Sequence, residues 1–216
     1  MLPEVSAFRW VPPVVQGLVR DLRVRWALEE AGQAYKEVLV DLQNKGANDY
    51  RDWQPFLQVP AYRDGAVELF ESGAIVLHIA ERSETLMPRD EVGRARATSW
   101  ALAALNSVEP WVMTYTEAFN TEESWRAARL PTAEKWLVLK LDGLAAWLDG
   151  KDYLEDRFTA GDLLMSNVLR QLATMAKGGA LTRYPALEAY RDRCEARPAF
   201  ARALEAQLAT FRAHAP

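Results

Sequence analysis

The residues best suited to chemistry lie in one stretch, Gln54 to Glu81 (QPFLQVPAYRDGAVELFESGAIVLHIAE). Val59-Pro60 opens a short alternating segment, Ala61-Tyr62-Arg63. Arg63-Asp64-Gly65-Ala66 reads as a tight turn, with Asp-Gly as the hairpin dipeptide. Val67 to Phe70 alternates as a returning strand. Glu71-Ser72 then closes the hairpin and starts a helix predicted over Gly73 to Glu81. A serine at a helix start can cap free backbone N–H groups. An acidic residue and a hydroxyl beside a helix N-terminus also form a polar pocket at the positive end of the dipole. The same residues would equally make a plain hairpin and a capped helix in any α/β domain. Elsewhere, chemically able side chains are scarce. Cys194 is the single cysteine, and it shares helical spacing with Leu187 and Tyr190, which predicts a buried, inert thiol. His78 sits among Ile75 and Ile79 and reads as structural, and His214 falls near the end of the sequence. Two histidines and one cysteine this far apart do not suggest a metal site.

Composition narrows the classes. The 216 residues can form one large or two small domains, and half of them are hydrophobic, enough for a sizeable core. Lys+Arg 26 against Asp+Glu 30 gives a net charge of -4, which argues against nucleic acid as the main partner. No apolar run reaches the length of a membrane span. The opening MLPEVSAFRW lacks a basic region followed by an apolar one, so no secretion signal is expected. One cysteine allows no internal disulfide. A cytoplasmic, metal-free protein is the expectation.

The elements that must position the central stretch follow from the pattern on either side. Val5 to Trp10 is strand-like and is broken by Pro12-Pro13. A helix is predicted from about Gly17 to Ala31, ended by Gly32, and Tyr35 to Val40 reads as a second strand. Strand, helix, strand at this length is a βαβ unit. Asp41 to Gln58 is polar and irregular, with one helical turn near Asn48 to Trp53. Glu81 to Asp90 reads as a linker, and everything beyond it is helical. Pro110 is expected to kink the helix from Glu91 to Phe119, Pro131 to start a helix ending at Asp149, and Gly150-Lys151 to turn the chain. Thr159 with Asp162 is a capping-box arrangement, assigned to folding rather than chemistry.

Val59-Pro60 followed about ten residues on by Glu71-Ser72, with Asp-Gly between, resembles the glutathione-binding half of glutathione transferases. WALEEAGQAY resembles that family's first helix and second strand, and LTRYPAL, Tyr190 and RPAF resemble its closing helices, so the likeness covers nearly the whole chain. The resemblance implies an α/β thioredoxin-like N-terminal domain (residues 1–83), a linker (84–90) and an all-α C-terminal domain (91–216). It implies that Pro60 follows a cis peptide bond, that Val59 pairs through its backbone with the cysteinyl unit of glutathione, and that Glu71 and Ser72 hold the γ-glutamyl ammonium and carboxylate. Gln58 is aimed at the glycyl end, where Lys45, Arg51 and Trp53 are further candidates. The family activates the glutathione thiol with a Tyr, Ser or Cys after the first strand. Here the window Trp10 to Asp21 (WVPPVVQGLVRD) has no Tyr, Ser, Thr or Cys, and Ser6 lies too early, inside the first strand. Three replacements are open: the helix N-terminus, a cation from Arg20, or the Gln16 amide. The family's pocket for an apolar electrophile points to Trp10, Val11, Pro12, Trp111 and Tyr115, with Met113 and Phe119 beside them. Trp111 and Tyr115 are four apart and are expected on one face; Tyr115 could also offer its hydroxyl to the reaction. The resemblance implies a homodimer that transfers glutathione to a hydrophobic electrophile or reduces an organic peroxide. The alternative is a glutathione- or ligand-binding protein with little turnover.

Overall fold

The computed structural model describes residues 2–42 and 50–216. It divides into two compact units, Met1–Met87 with Arg197–Pro216, and Pro88–Ala196.

The first unit is built on a four-stranded mixed sheet. Strands β1 (Glu4–Phe8), β2 (Lys36–Val40), β3 (Ala61–Asp64) and β4 (Val67–Phe70) lie in the order β2-β1-β3-β4. β1 and β2 run parallel, in register from Glu4 opposite Lys36 to Phe8 opposite Val40. Their crossover is helix α1 (Asp21–Glu30), as the βαβ pattern requires. β3 is antiparallel to both β1 and β4. The hairpin turn is Gly65-Ala66, one residue later than the Asp-Gly dipeptide suggests, because Asp64 still pairs with Val67. A short helix α2 (Tyr50–Trp53) precedes β3, and α3 (Ser72–Ala80) follows β4.

Helix α1 starts later than its periodicity predicts. Pro13–Val15 form a 3₁₀ turn, and Gly17 has φ of 75°, a left-handed conformation that no right-handed helix can include. From Asp21 to Leu28 every residue of α1 is buried, charged ones included. Burying charge is costly unless it is paired. Asp21 accepts from Arg25 Nε at 2.7 Å, Arg25 also pairs with Glu37, and Gln207 Nε2 donates to Asp21 at 2.7 Å. Gln207 belongs to α9 (Pro198–Ala213), which packs along α1. Trp26 meets Phe200 edge-on at 4.8 Å, and Arg197 forks onto Glu30 at 2.6 and 2.8 Å. The last helix is therefore part of the first unit, where the sequence expectation placed all of 91–216 in one helical domain.

The second unit is helical. It contains α4 (Glu91–Ala103), α5 (Glu109–Phe119), α6 (Glu123–Trp147), α7 (Ala160–Met175) and α8 (Pro185–Glu195). The break expected at Pro110 is a π-helical turn, Ala104–Val108, just before the proline enters the first turn of α5. Pro131 does not start a helix; it lies inside α6, which begins at Glu123. Good helix formers, Arg126 to Leu130, precede it, so the ladder continues past the one amide the proline lacks. α7 is the centre, with every residue from Ala160 to Leu169 buried. Gly161 is required there, since a Cβ would lie 2.6 Å from Trp100 Cβ of α4. The capping box is made in full. Asp162 accepts from the Thr159 amide (2.9 Å) and hydroxyl (3.1 Å), and also from the Leu154 amide (2.8 Å) and Tyr190 hydroxyl (2.9 Å). Among the described residues, no helix is long and apolar enough to cross a membrane.

Candidate functional site

Strand register brings the central residues together. Ala61 lies opposite Phe70, so Pro60, just before β3, and Glu71, just after β4, sit side by side at one end of the hairpin. Val5 lies opposite Tyr62 in the antiparallel β1–β3 pair, so β1 runs out toward that same end. The loop from Arg9 to Arg20, the Val59-Pro60 bend and the start of α3 therefore share one edge of the sheet. The Val59-Pro60 bond is cis.

At this edge two non-glycine residues have positive φ, Leu57 (55°) and Glu71 (69°); no other described residue except glycine does. A side chain held in such a conformation costs about 1–3 kcal/mol and persists where its surroundings over-determine it, most often at functional sites. Glu71 has ψ of 114° and precedes α3 without capping it, so its carboxylate stays exposed. Ser72 is the first residue of α3 and is buried. Its Oγ accepts from Arg23 Nη1 at 3.3 Å, which leaves the hydroxyl proton to be donated elsewhere. Arg23 is itself fully buried on α1. A carboxylate arriving at Ser72 would meet a hydroxyl, a helix N-terminus and a cation behind it, while Glu71 offers the complementary negative charge.

The Val59-Pro60 bend is held from below. Ser6 Oγ accepts the Ala61 amide at 2.6 Å and lies 2.7 Å from Tyr50 Oη, and Tyr50 Oη donates to the Gln58 carbonyl at 2.6 Å. Gln58 itself is exposed, so its side chain is available to a ligand. Trp53 is a core residue whose indole N–H donates to the Tyr62 carbonyl, and Arg51 Nη1 donates to the Pro55 carbonyl at 3.4 Å. Lys45 and Asn48 lie outside the described residues.

In the loop after β1, Val11 is buried, Trp10 is half-buried and Pro12 is exposed. The Gln16 amide donates to the Val11 carbonyl at 2.9 Å and so ties this loop to itself. Arg20 occupies the N-cap position of α1 and is half-buried.

In the second unit, Trp111 and Tyr115, four apart on α5, have different partners. Trp111 stacks on Trp136 of α6 at 5.5 Å. Tyr115 is buried, tilted against Phe119, and its hydroxyl accepts the Ala180 amide at 3.0 Å. That bond ties α5 to the chain after α7. Cys194 is fully buried and burial pushes its thiol pKa up, as an inert thiol requires. Burial lowers the pKa of His78, whose ring faces Tyr62. Among the described residues, no group of three His, Cys, Asp or Glu is placed to hold a metal ion.

Ser6, Tyr50 and Arg23 are the site residues that sequence reasoning missed. A lone hydroxyl inside the apolar strand EVSAF was a readable signal for Ser6. Nothing local marks Tyr50 or Arg23, whose partners lie 8 to 49 residues away.

Comparison with known proteins agrees with this geometry. The model of the glutathione S-transferase N-terminal domain matches residues 15–81, and that of the C-terminal domain matches residues 107–198. No curated protein matches the sequence. Among solved structures, a glutathione transferase from Burkholderia graminis, with two glutathione molecules bound per subunit, is 20% identical; the match covers 94% of this chain and 88% of that one, with a TM-score of 0.81. A glutathione transferase family member from Pseudomonas fluorescens with two glutathione bound is 21% identical over 94% and 92% of the chains, also with a TM-score of 0.81. Yeast Ure2p in complex with glutathione is 18% identical over 94% and 93%, with a TM-score of 0.78. At these identities the likeness to the solved structures speaks for the fold, while the two domain models speak for the sequence: the chain belongs to the glutathione S-transferase family.

Proposed function

We propose that this protein binds glutathione across the sheet edge and activates its thiol, for attack on a hydrophobic electrophile or for reduction of an organic peroxide. The observation that carries this reading is the strand register that sets Pro60 beside Glu71. In it, Glu71 takes the γ-glutamyl ammonium, Ser72 and the start of α3 take its carboxylate, the Val59 backbone pairs with the cysteinyl unit, and Gln58 meets the glycyl end. The sulfur then falls toward the loop after β1. There Arg20 supplies a cation, with the Gln16 amide or the α1 N-terminus as the other sources of stabilisation. A free thiol has a pKa near 8.5, and a positive charge close by favours the thiolate, which is the nucleophile. Trp10 and Pro12, backed by the buried Val11, form an apolar approach for the electrophile. In transfer, the thiolate bonds to the electrophilic carbon, and the electron pair displaced there leaves with the leaving group or, in an activated double bond, moves onto the far atom, which takes up a proton. In peroxide reduction, two glutathiones supply the electrons and leave as the disulfide.

A second reading is favoured by one observation, the absence of Tyr, Ser, Thr and Cys from Trp10 to Asp21: a binding protein with little turnover. Calorimetric titration with glutathione, followed by a panel of electrophiles and an organic hydroperoxide, separates the two. Binding with turnover supports the transferase; binding without turnover on any of them supports the second reading; no binding overturns both. Ser72→Ala is expected to weaken glutathione by roughly 10- to 100-fold, the worth of a hydrogen bond to a charged group. We extend the family's two-fold pairing and a cytoplasmic location to this chain as well; sedimentation at micromolar concentration tests the first, and fractionation of cells expressing the full chain the second.

A further inference from the structure

Three polar atoms beneath the Val59-Pro60 bend form one directed chain. The Tyr50 hydroxyl has a single proton, and it goes to the Gln58 carbonyl at 2.6 Å. The 2.7 Å contact between Ser6 Oγ and Tyr50 Oη must therefore use the serine proton. Ser6 Oγ in turn accepts the Ala61 amide at 2.6 Å. The order is Ala61 N–H to Ser6 O–H to Tyr50 O–H to the Gln58 carbonyl. Each hydroxyl donates one bond and accepts one, and each polarises the next.

The chain takes its place from the sheet. The β1–β3 ladder pairs Val5 with Tyr62 and ends there. The next step would put Ser6 opposite Ala61, and the serine side chain takes that amide instead of a strand carbonyl. Ser6 is wholly buried, and the Tyr50 ring is packed in one cluster with Val40, Trp53, Val59 and Ala61. Both ends of the chain attach to backbone groups, one on each side of Val59-Pro60. The two hydroxyls thus span the bend from within the core, with Val59 and Pro60 between their attachment points.

We propose that Ser6 and Tyr50 are positioning residues for glutathione, which hold the Gln58–Ala61 backbone at the spacing its cysteinyl unit reads. The proposal rests on the glutathione site given above. Neither hydroxyl touches the ligand; they act through the Val59 backbone. Pre-set donors and acceptors cost nothing to order on binding, whereas a bend free to shift must be ordered first.

Tyr50→Phe keeps the ring in its cluster and removes only the hydroxyl. The test is calorimetric titration of the full-length variant with glutathione, beside urea unfolding. Loss of one hydrogen bond's worth of order predicts a rise in Kd of about five- to tenfold, measured on protein whose urea transition has moved to a lower midpoint, because the Ser6 proton loses its acceptor, but is still cooperative and leaves the protein folded without denaturant. Where turnover is present, KM for glutathione rises by the same factor and KM for the electrophile stays within twofold, a split that a general loss of structure would not produce. Ser6→Ala is expected to match Tyr50→Phe, and Ser6→Thr, which restores a hydroxyl, to recover most of the affinity. Should Tyr50→Phe fail to fold, the contrast between Ser6→Ala and Ser6→Thr decides. An unchanged Kd in the folded variant, or equal affinities for the two Ser6 variants, overturns the proposal. A parent protein that binds no glutathione overturns the site reading itself.

Discussion

Asp162→Asn exposes how much of the helical unit hangs on one carboxylate. Asp162 is fully buried and takes four donors: the Leu154 and Thr159 amides and the Thr159 and Tyr190 hydroxyls. Asparagine keeps the size but turns one acceptor into an NH₂. If that group replaces Oδ2 it faces the Thr159 amide; if it replaces Oδ1 it faces the Leu154 amide. Either way one buried N–H is stranded, at about 1–3 kcal/mol, and the remaining bonds lose the strength that ionic acceptors give. The sum is about 3–4 kcal/mol, which for a chain of this length lowers the melting temperature by roughly 6–16 °C. Thermal unfolding by tryptophan fluorescence reads it, since Trp100 and Trp147 lie in the same unit. Because Glu71 and Ser72 belong to the other unit, glutathione affinity measured well below the transition should stay within twofold. A loss under about 1 kcal/mol, less than the cost of one stranded buried donor, would refute the reasoning.

Replacing Arg20 with Ala should raise the pKa of the bound glutathione thiol, followed by thiolate absorbance against pH; an unchanged value discards Arg20 and leaves the Gln16 amide or the α1 N-terminus. Cys194, buried and with its thiol pKa pushed up, should resist a thiol reagent at neutral pH until denaturant is added; prompt labelling of native protein would contradict its place in the core. Glu155 accepts from Arg96 at 2.6 Å and from Trp100 at 2.7 Å, and Arg96 holds its carboxyl below the usual range. The folded state therefore binds fewer protons than the unfolded one, so this contribution is full above the unfolded value near 4.3 and is lost as pH falls through the lower folded value. Glu155→Gln should flatten that part of the stability profile in urea titrations; an unaltered acid limb would remove Glu155 from the account.

The sequence by itself determined the local grammar. Alternation and a turn dipeptide laid out β3 and β4, and the order Val59-Pro60, Asp-Gly, Glu71-Ser72 pointed to the family. Thr159 and Asp162, three apart, announced a cap that the structure makes in full. These features are legible because each depends on neighbours within one turn or one hairpin. The absence of Tyr, Ser, Thr and Cys from Trp10 to Asp21 is equally plain.

Tertiary structure decided what depends on distant partners. The sequence placed α9 among the closing helices of one helical domain, and only Trp26, Glu30 and Asp21 on α1 show which unit buries it. Four-residue spacing put Trp111 and Tyr115 on one face, but their partners, Trp136 for the first and the Ala180 amide 65 residues on for the second, came only with the fold. Ser6 and Tyr50 meet across 44 residues, in a layer no periodicity describes. A side chain's period says which face it is on; what it bonds to there is settled when the chain closes on itself, because a buried polar group must find its partner wherever the fold supplies one.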